Sequence, residues 1–210
     1  MIRRGLFLAD GPSDEPLSDH LETLCAAHGH EVRITAPDLR RLPERIGLKV
    51  ESRLRYILGQ DATYDIVFVH RDAEGQDAAV RRQEIADAVA AVQCMIPAVP
   101  VVPVRMTEAW LLLDEQAIRE VAGRPGGTVD LDLPRASTVE SIPDPKQRLR
   151  EALVAASQLH GRRLEAFKQR FSDHRRQLLE RLDHSGPITA LSAWQDLLSA
   201  VANAMLHLPR

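Results

Sequence analysis

The sequence predicts an α/β protein in which a mostly parallel central sheet of about four strands carries helices on both faces and a C-terminal helical extension follows. Short apolar runs alternate with longer amphipathic segments over residues 1–122, as in successive βα units. The clearest run, Ile66-Val67-Phe68-Val69, is unbroken, as expected for a parallel strand that is buried on both faces. Beyond residue 123 the apolar spacing becomes helical.

The predicted elements of the first domain, residues 1–122, follow from these runs. Strands are predicted at residues 5–9, 31–35, 65–69 and 99–104. Helices are predicted at residues 13–28, 44–59, 76–93 and 106–122, the last in two pieces joined near Asp114. Pro100 and Pro103 interrupt the fourth strand, which places it near an edge of the sheet or makes it irregular.

Residues 123–210 are predicted to form a mainly helical extension that packs on this domain. A glycine-proline turn over residues 124–127 separates the two parts. Pro145 suits the first turn of a helix. A charged helix is predicted over residues 162–182 and a final apolar helix over residues 188–206.

Composition narrows the functional classes. The 210 residues have a net charge of −3, which gives no global attraction to nucleic acid but leaves local basic patches open. Aromatic residues make up 4%, too few for a broad base-stacking platform. Two cysteines, Cys25 and Cys94, indicate reduced thiols in a cytoplasmic protein. No apolar run reaches membrane-spanning length, so we expect no membrane association.

An acidic cluster follows the first predicted strand, at Asp10, Asp14 and Glu15, after the turn at Gly11. Acids in a first helical turn are favoured by the helix dipole, which accounts for Asp14 and Glu15 without any function. Asp10 ends a strand that should be buried, so the helix dipole does not explain why a carboxylate stands at this position. Ligands of open α/β sheets bind beyond the carboxyl ends of the strands, and a hard divalent cation is a common reason for carboxylates to gather there.

A second cluster follows the third strand, where His70, Asp72 and Glu74 alternate. In an extended segment these three side chains point the same way and can share one metal. Imidazole beside carboxylates suits manganese or zinc better than magnesium. His70 also has a purely structural interpretation, as a histidine whose ring N–H is hydrogen-bonded to a neighbouring carboxylate.

A third group, Arg105, Thr107 and Glu108, begins the helix after the fourth strand. Thr107 can cap that helix, and the helix dipole stabilises the negative charge of Glu108 in its first turn. Arg105, together with Arg71 and Lys146, is a candidate contact for a phosphate backbone. The other basic residues, at 40–55 and along the C-terminal helices, alternate with acids and are predicted to form solvated faces.

Four segments together carry a resemblance to a known family. They are Ala9-Asp10-Gly11-Pro12-Ser13-Asp14, His70-Arg71-Asp72-Ala73-Glu74-Gly75, Glu108-Ala109-Trp110-Leu111-Leu112-Leu113-Asp114 and Pro143-Asp144-Pro145-Lys146. In order and content they resemble a Toprim-like family of bacterial proteins, related to the Toprim domains of topoisomerases, primases and OLD-type nucleases. The resemblance covers about residues 1–155 and implies a Toprim-like α/β domain.

The resemblance implies Mg²⁺- or Mn²⁺-dependent hydrolysis of phosphodiester bonds in nucleic acid, with a partner ATPase in a bacterial defence locus. The implied metal ligands are Asp72, Glu74, His70 and Asp10. The implied catalytic residues are Asp10, Asp14 and Glu108.

Two positions depart from the family pattern. Asp10 stands where the family has glutamate, and its carboxylate reaches one methylene less far. His70 occupies the first acidic position of a D-x-D pair, unless the pair is instead Asp72 and Glu74. An alternative function is therefore a catalytically degenerate Toprim-like module that binds a partner protein, such as an ATPase, through its C-terminal helices.

Overall fold

A four-stranded parallel sheet organises the protein, which a computed structural model describes over residues 1–39, 46–47 and 49–208. The strands are β1 (Arg3–Leu8), β2 (Val32–Thr35), β3 (Ile66–His70) and β4 (Ala98–Val101). Their order is β2-β1-β3-β4, and every neighbouring pair is parallel. The predicted α/β fold with a parallel sheet is therefore confirmed, and β4 lies at an edge as its prolines predicted.

Successive side chains of the central strands point to opposite faces of the sheet, and this explains why helices cover both faces. In β1, Phe7 points to one face while Leu6 and Leu8 point to the other, and all three are buried. Phe68 and its neighbours in β3 alternate in the same way. A parallel strand with no exposed face needs apolar partners on both sides, which is the physical origin of its continuous apolar run.

The helices of the first part are α1 (Leu17–Ala27), α2 (Val50–Gln60), α3 (Ala78–Ala91), α4 (Glu108–Leu111) and α5 (Glu115–Val121). Helices α2 and α3 pack on one face of the sheet, and α1 packs on the other. The predicted joint at Asp114 is confirmed: its carboxylate caps α5 by accepting a hydrogen bond from the N–H of Ala117 at 2.8 Å. A short 3₁₀ turn over Pro12–Asp14 precedes α1, which starts later than predicted.

Part of one predicted helix and one predicted loop lies outside the described residues. The helix over residues 44–59 appears as α2 from Val50, and its predicted start at residues 44, 45 and 48 is among those not described. The predicted basic loop over residues 39–43 is described only at Leu39.

The C-terminal part contains α6 (Ala136–Val139), α7 (Pro145–Ser157), α8 (Gly161–Gln169), α9 (Phe171–Leu179) and α10 (Ser192–His207). The single charged helix predicted over residues 162–182 is instead two helices, because the chain leaves helical geometry at Arg170. The short helix α6 was not predicted. The final helix begins at Ser192, after a 3₁₀ turn over Pro187–Ala190.

The C-terminal helices complete the core of the sheet domain. Helix α10 packs against β4 and α1, and one continuous hydrophobic cluster joins residues from both parts of the chain. Trp110 of α4 and Trp194 of α10 meet edge to face, with ring centroids 5.4 Å apart at 87°. Among the described helices, none is both long and apolar enough to span a bilayer.

Trp194 provides a test of this shared core. Replacing Trp194, which is 1% exposed, with alanine should lower the free energy of unfolding by about 3–5 kcal/mol because it leaves a cavity against Trp110. Urea denaturation would measure this. Leu206→Ala on the same helix, at an exposed position, is the control and should change stability by less than about 0.5 kcal/mol. Equal effects of the two substitutions would show that α10 does not contribute to the core.

Candidate functional site

The three groups of predicted site residues meet at one edge of the sheet. All four strands are parallel, so the loop after β1, the loop after β3 and the segment before α4 lie at their shared carboxyl edge. The strand order reverses between β1 and β3, since β1 is followed in sequence by β2 on its other side. Crevices at such reversal points are the usual ligand sites of open α/β sheets.

His70 lies at the centre of this edge and is 1% exposed. Its Nε2 lies 3.1 Å from Oγ1 of Thr107 and 3.5 Å from Oδ1 of Asp72. Its Nδ1 lies 3.9 Å from Oδ2 of Asp14 and 3.4 Å from the backbone N–H of Asp10. One imidazole thus connects all three segments of the predicted site.

The surrounding charges favour the protonated form of His70. Burial alone would lower the pKa of the ring, but the carboxylates of Asp14, Asp72 and Asp10 outweigh it and raise that pKa above its ordinary value. The N–H of Asp10 favours the neutral ring, but this contact is long. We therefore assign a raised pKa to His70, set by its carboxylate neighbours.

Asp72 is held in the ionised form by the same contact. Burial would raise the pKa of its carboxyl group, but the hydrogen bond and the charge of His70, followed by Arg175 and the Thr107 backbone, lower it overall. Oδ1 accepts a hydrogen bond from the N–H of Thr107 at 3.1 Å. Thr107 does not cap its helix through its side chain; the hydroxyl faces Asp14 and Asp72, each at 3.4 Å.

Arg175 of α9 binds two further acids of the edge. Its Nη2 donates to Oδ1 of Asp14 at 2.6 Å, and its Nε donates to Oε1 of Glu108 at 2.9 Å. Its Nη1 donates to the carbonyl of Ser13 at 2.6 Å. All three charged residues are at most 5% exposed, so this is a buried ion triad. The pKa of Arg175 is raised: burial opposes its charge, but Asp14 and Glu108 more than compensate.

Glu74 does not join the other acids. Its backbone has φ of 50°, and Gly75 follows with φ of 89°, so the chain turns and the alternation of an extended segment ends at Asp72. The Glu74 carboxylate lies on the surface, 3.4 Å from Nη2 of Arg81. Glycine suits this turn because a φ of 89° lies in the left-handed region that residues with a side chain rarely adopt.

Asp10 keeps a partly exposed carboxylate, next to a cavity of about 580 Å³ between the ends of β1 and β2. Its Oδ1 lies 3.5 Å from Nη1 of Arg71. Arg53 also lines the cavity and donates to the carbonyl of Ala9 at 3.2 Å. The predicted phosphate contact Arg71 is therefore at the site, and Arg53 is a cation there that the sequence did not single out.

The other two predicted phosphate contacts are placed differently. Arg105 lies over Gly75, and its carbonyl accepts the N–H of Glu74 at 2.9 Å. Lys146 is in the first turn of α7 and makes no hydrogen bond or ion pair with any residue that the structure describes. Neither contacts the described acids around His70.

Arg175 is the site residue that sequence reasoning missed, since it was grouped with the solvated basic residues. A signal was present in the spacing of α9. Phe171, Arg175, Leu178 and Leu179 recur at helical intervals on one buried stripe, and Arg175 is the charged member. A charge within an apolar stripe needs a buried counter-charge.

No group of three His, Cys, Asp or Glu side chains within the described ranges is arranged to hold a metal ion. Comparison of the chain with protein-family models, with curated proteins and with solved structures found no match. The resemblance to Toprim proteins therefore remains a prediction that depends on the residues quoted above.

Arg175→Met should destabilise the protein strongly. It removes the shared partner of Asp14 and Glu108 and leaves two buried carboxylates without a counter-charge, at a cost of about 3–5 kcal/mol in the free energy of unfolding. Chemical denaturation would measure the loss. The neighbouring Arg176→Met is the matched control: this half-exposed residue pairs with Glu15 and Glu180, so the change should be below about 1 kcal/mol. Similar losses in both variants would contradict the triad.

The raised pKa of His70 predicts a pH dependence of stability. Below pH 6.5 the ring is protonated in both the folded and the unfolded chain, and its stabilising contacts are complete. As pH rises through the higher folded pKa, the unfolded chain has already released its proton and this contribution is lost. We expect the stability difference between wild type and His70→Asn to shrink as pH rises above 6.5.

Denaturation curves at several pH values between 6 and 8 would measure that difference. His28→Asn, at an exposed position after α1, is the matched control for the loss of a histidine. A difference that grows with pH for His70→Asn would show that the buried ring is neutral.

Proposed function

We propose that this edge of the sheet binds a divalent cation and hydrolyses phosphodiester bonds in nucleic acid. The observation that supports this most directly is the position of His70 between the backbone N–H of Asp10 at Nδ1 and the carboxylate of Asp72 at Nε2, at the point where the strand order reverses. Carboxylates at such a crevice, with arginines beside them, suit a cation and a phosphate group together.

The donor set fits Mg²⁺ or Mn²⁺. Asp72 uses Oδ1 for Thr107 and His70, while Oδ2 makes no hydrogen bond within the described residues. Asp10 offers a second, partly exposed carboxylate. Mg²⁺ is usually held by one or two carboxylates together with substrate phosphates and water, so it does not need three protein ligands. When bound, the cation would polarise the phosphate and lower the pKa of a water molecule.

The surrounding residues have separate tasks in this proposal. His70 and Thr107 orient the Asp72 carboxylate and keep it ionised, as an outer partner does for a metal ligand. Arg71 and Arg53 supply positive charge beside Asp10, where a phosphate would approach. Asp14 and Glu108 act as structural anchors for Arg175, and not as acid–base groups, because both are buried against its guanidinium.

Cleavage of plasmid DNA and single-stranded RNA with Mn²⁺ or Mg²⁺ tests the proposal. We expect metal-dependent cleavage, reduced at least about 100-fold by Asp72→Asn, which removes a charge from the cation site. Glu74→Gln is the matched control, since this exposed acid pairs with Arg81 and should change the rate less than about threefold.

Two results would contradict the proposal. One is the absence of cleavage with either metal, alone and with a candidate partner ATPase. The other is an equal loss of activity in Asp72→Asn and Glu74→Gln, since that would place the chemistry away from Asp72.

The second candidate function is an interaction module without chemistry. The observation in its favour is the ion triad, in which Arg175 binds two of the three predicted catalytic acids. Calorimetric titration with Mn²⁺ separates the two functions. Binding weaker than about 1 mM that does not change in Asp72→Ala favours the interaction module, in which the C-terminal helices bind a partner such as an ATPase.

We also propose that the protein is cytoplasmic, because of the state of its two cysteine thiols. Cys25 and Cys94 are both free, and Cys25 is buried. Burial, followed by the charge of Glu22, raises the pKa of Cys25 to about 12, so its thiol is inert.

A further inference from the structure

A second cavity, of about 410 Å³, lies among α7, α8 and α9 and contains none of the acids described above. Its apolar wall consists of Leu153 and Val154 of α7, Phe167 of α8 and Phe171 of α9. This volume falls within the range of about 300–1,000 Å³ of small-molecule sites, which are mostly apolar with a few polar groups that fix orientation.

Two of the aromatic side chains that line the cavity stack on each other. The ring of Phe167 stacks on His174, with centroids 4.1 Å apart at 29°. Burial, followed by the charge of Arg170, lowers the pKa of His174, so this ring is neutral at pH 7. A planar ligand could stack beside this pair without displacing a charge.

One cation at the cavity lacks a compensating acid. The guanidinium of Arg150 lies 4.6 Å from the ring centroid of Phe171, and it forms no ion pair with any described residue. Glu151 also lines the cavity, but its carboxylate pairs with Arg148 at 3.5 Å and accepts a hydrogen bond from Gln147 at 3.0 Å. The cavity therefore presents a net positive charge beside an aromatic wall.

We propose that this cavity binds a small aromatic anion. The ring would pack against Phe167 and Phe171, and a carboxylate, sulfonate or phosphate group would pair with Arg150. A neutral or cationic aromatic ligand would not provide a counter-charge for the guanidinium of Arg150. The proposal does not depend on the proposed function, because none of its residues belongs to the acidic edge.

Helix α8, which forms one wall of the cavity, has features that would let a bound ligand stabilise it. It contains no buried residue, although Phe167 is one of its members. Two residues at its start have left-handed geometry: Gln158, which precedes the helix, with φ of 52°, and Gly161, its first residue, with φ of 56°. Phe167 is only partly buried against the core, and a bound ring would cover it further, so binding should slow hydrogen exchange in α8.

Fluorescence titration of the full chain with 1-anilinonaphthalene-8-sulfonate, an aromatic sulfonate, tests the proposal. We expect one saturable site and about tenfold weaker binding in Arg150→Gln, which loses a charge-assisted contact. Arg163→Gln is the matched control, because this exposed residue of α8 does not line the cavity and should not alter affinity. Phe167→Ala should also weaken binding.

Competition identifies the chemical class. Phenyl phosphate and benzoate should displace the probe, and benzylamine should not. Equal displacement by benzylamine, equal affinities of Arg150→Gln and Arg163→Gln, or no saturable binding up to 1 mM would each overturn the proposal. Nuclease assays do not enter these readouts, so the two proposals succeed or fail separately.

Discussion

The guanidinium of Arg175 is the interaction on which the acidic edge of this protein depends. It binds Asp14, which follows β1, and Glu108, which begins α4, and it also donates to the carbonyl of Ser13. Two buried carboxylates that share one guanidinium would repel one another without it. Since Arg175 belongs to α9, the C-terminal helices supply part of the carboxyl edge and are more than a cover for the core.

The parallel sheet supplies the second constraint. Because the four strands run the same way, every loop that follows a strand emerges at one edge, and the central strands β1 and β3 place theirs side by side. His70, the last residue of β3, is then close enough to Asp14, Asp72 and Thr107 to join them. Buried polar groups of this kind rigidify a site when their partners are satisfied.

Much of the fold was predictable because it depends on local periodicity. The apolar runs located the four strands, Asp114 located a helix start, and the prolines near Val101 located an edge strand. The break at Arg170 was not predictable in this way, since the apolar spacing continues across it. Glu74 was misplaced for a related reason: the alternation rule holds only while the backbone stays extended, and here the chain turns at Gly75.

By itself, the order of strands and acids along the sequence determined that Asp10, His70 and Asp72 would gather at one edge, because parallel strands direct their carboxyl ends together. Only the tertiary structure decided which carboxylates remain available. Arg175 lies 161 residues from Asp14 in the chain, yet it binds that acid and leaves Asp10 partly exposed. Ion pairing depends on distance through space, which neither periodicity nor composition encodes.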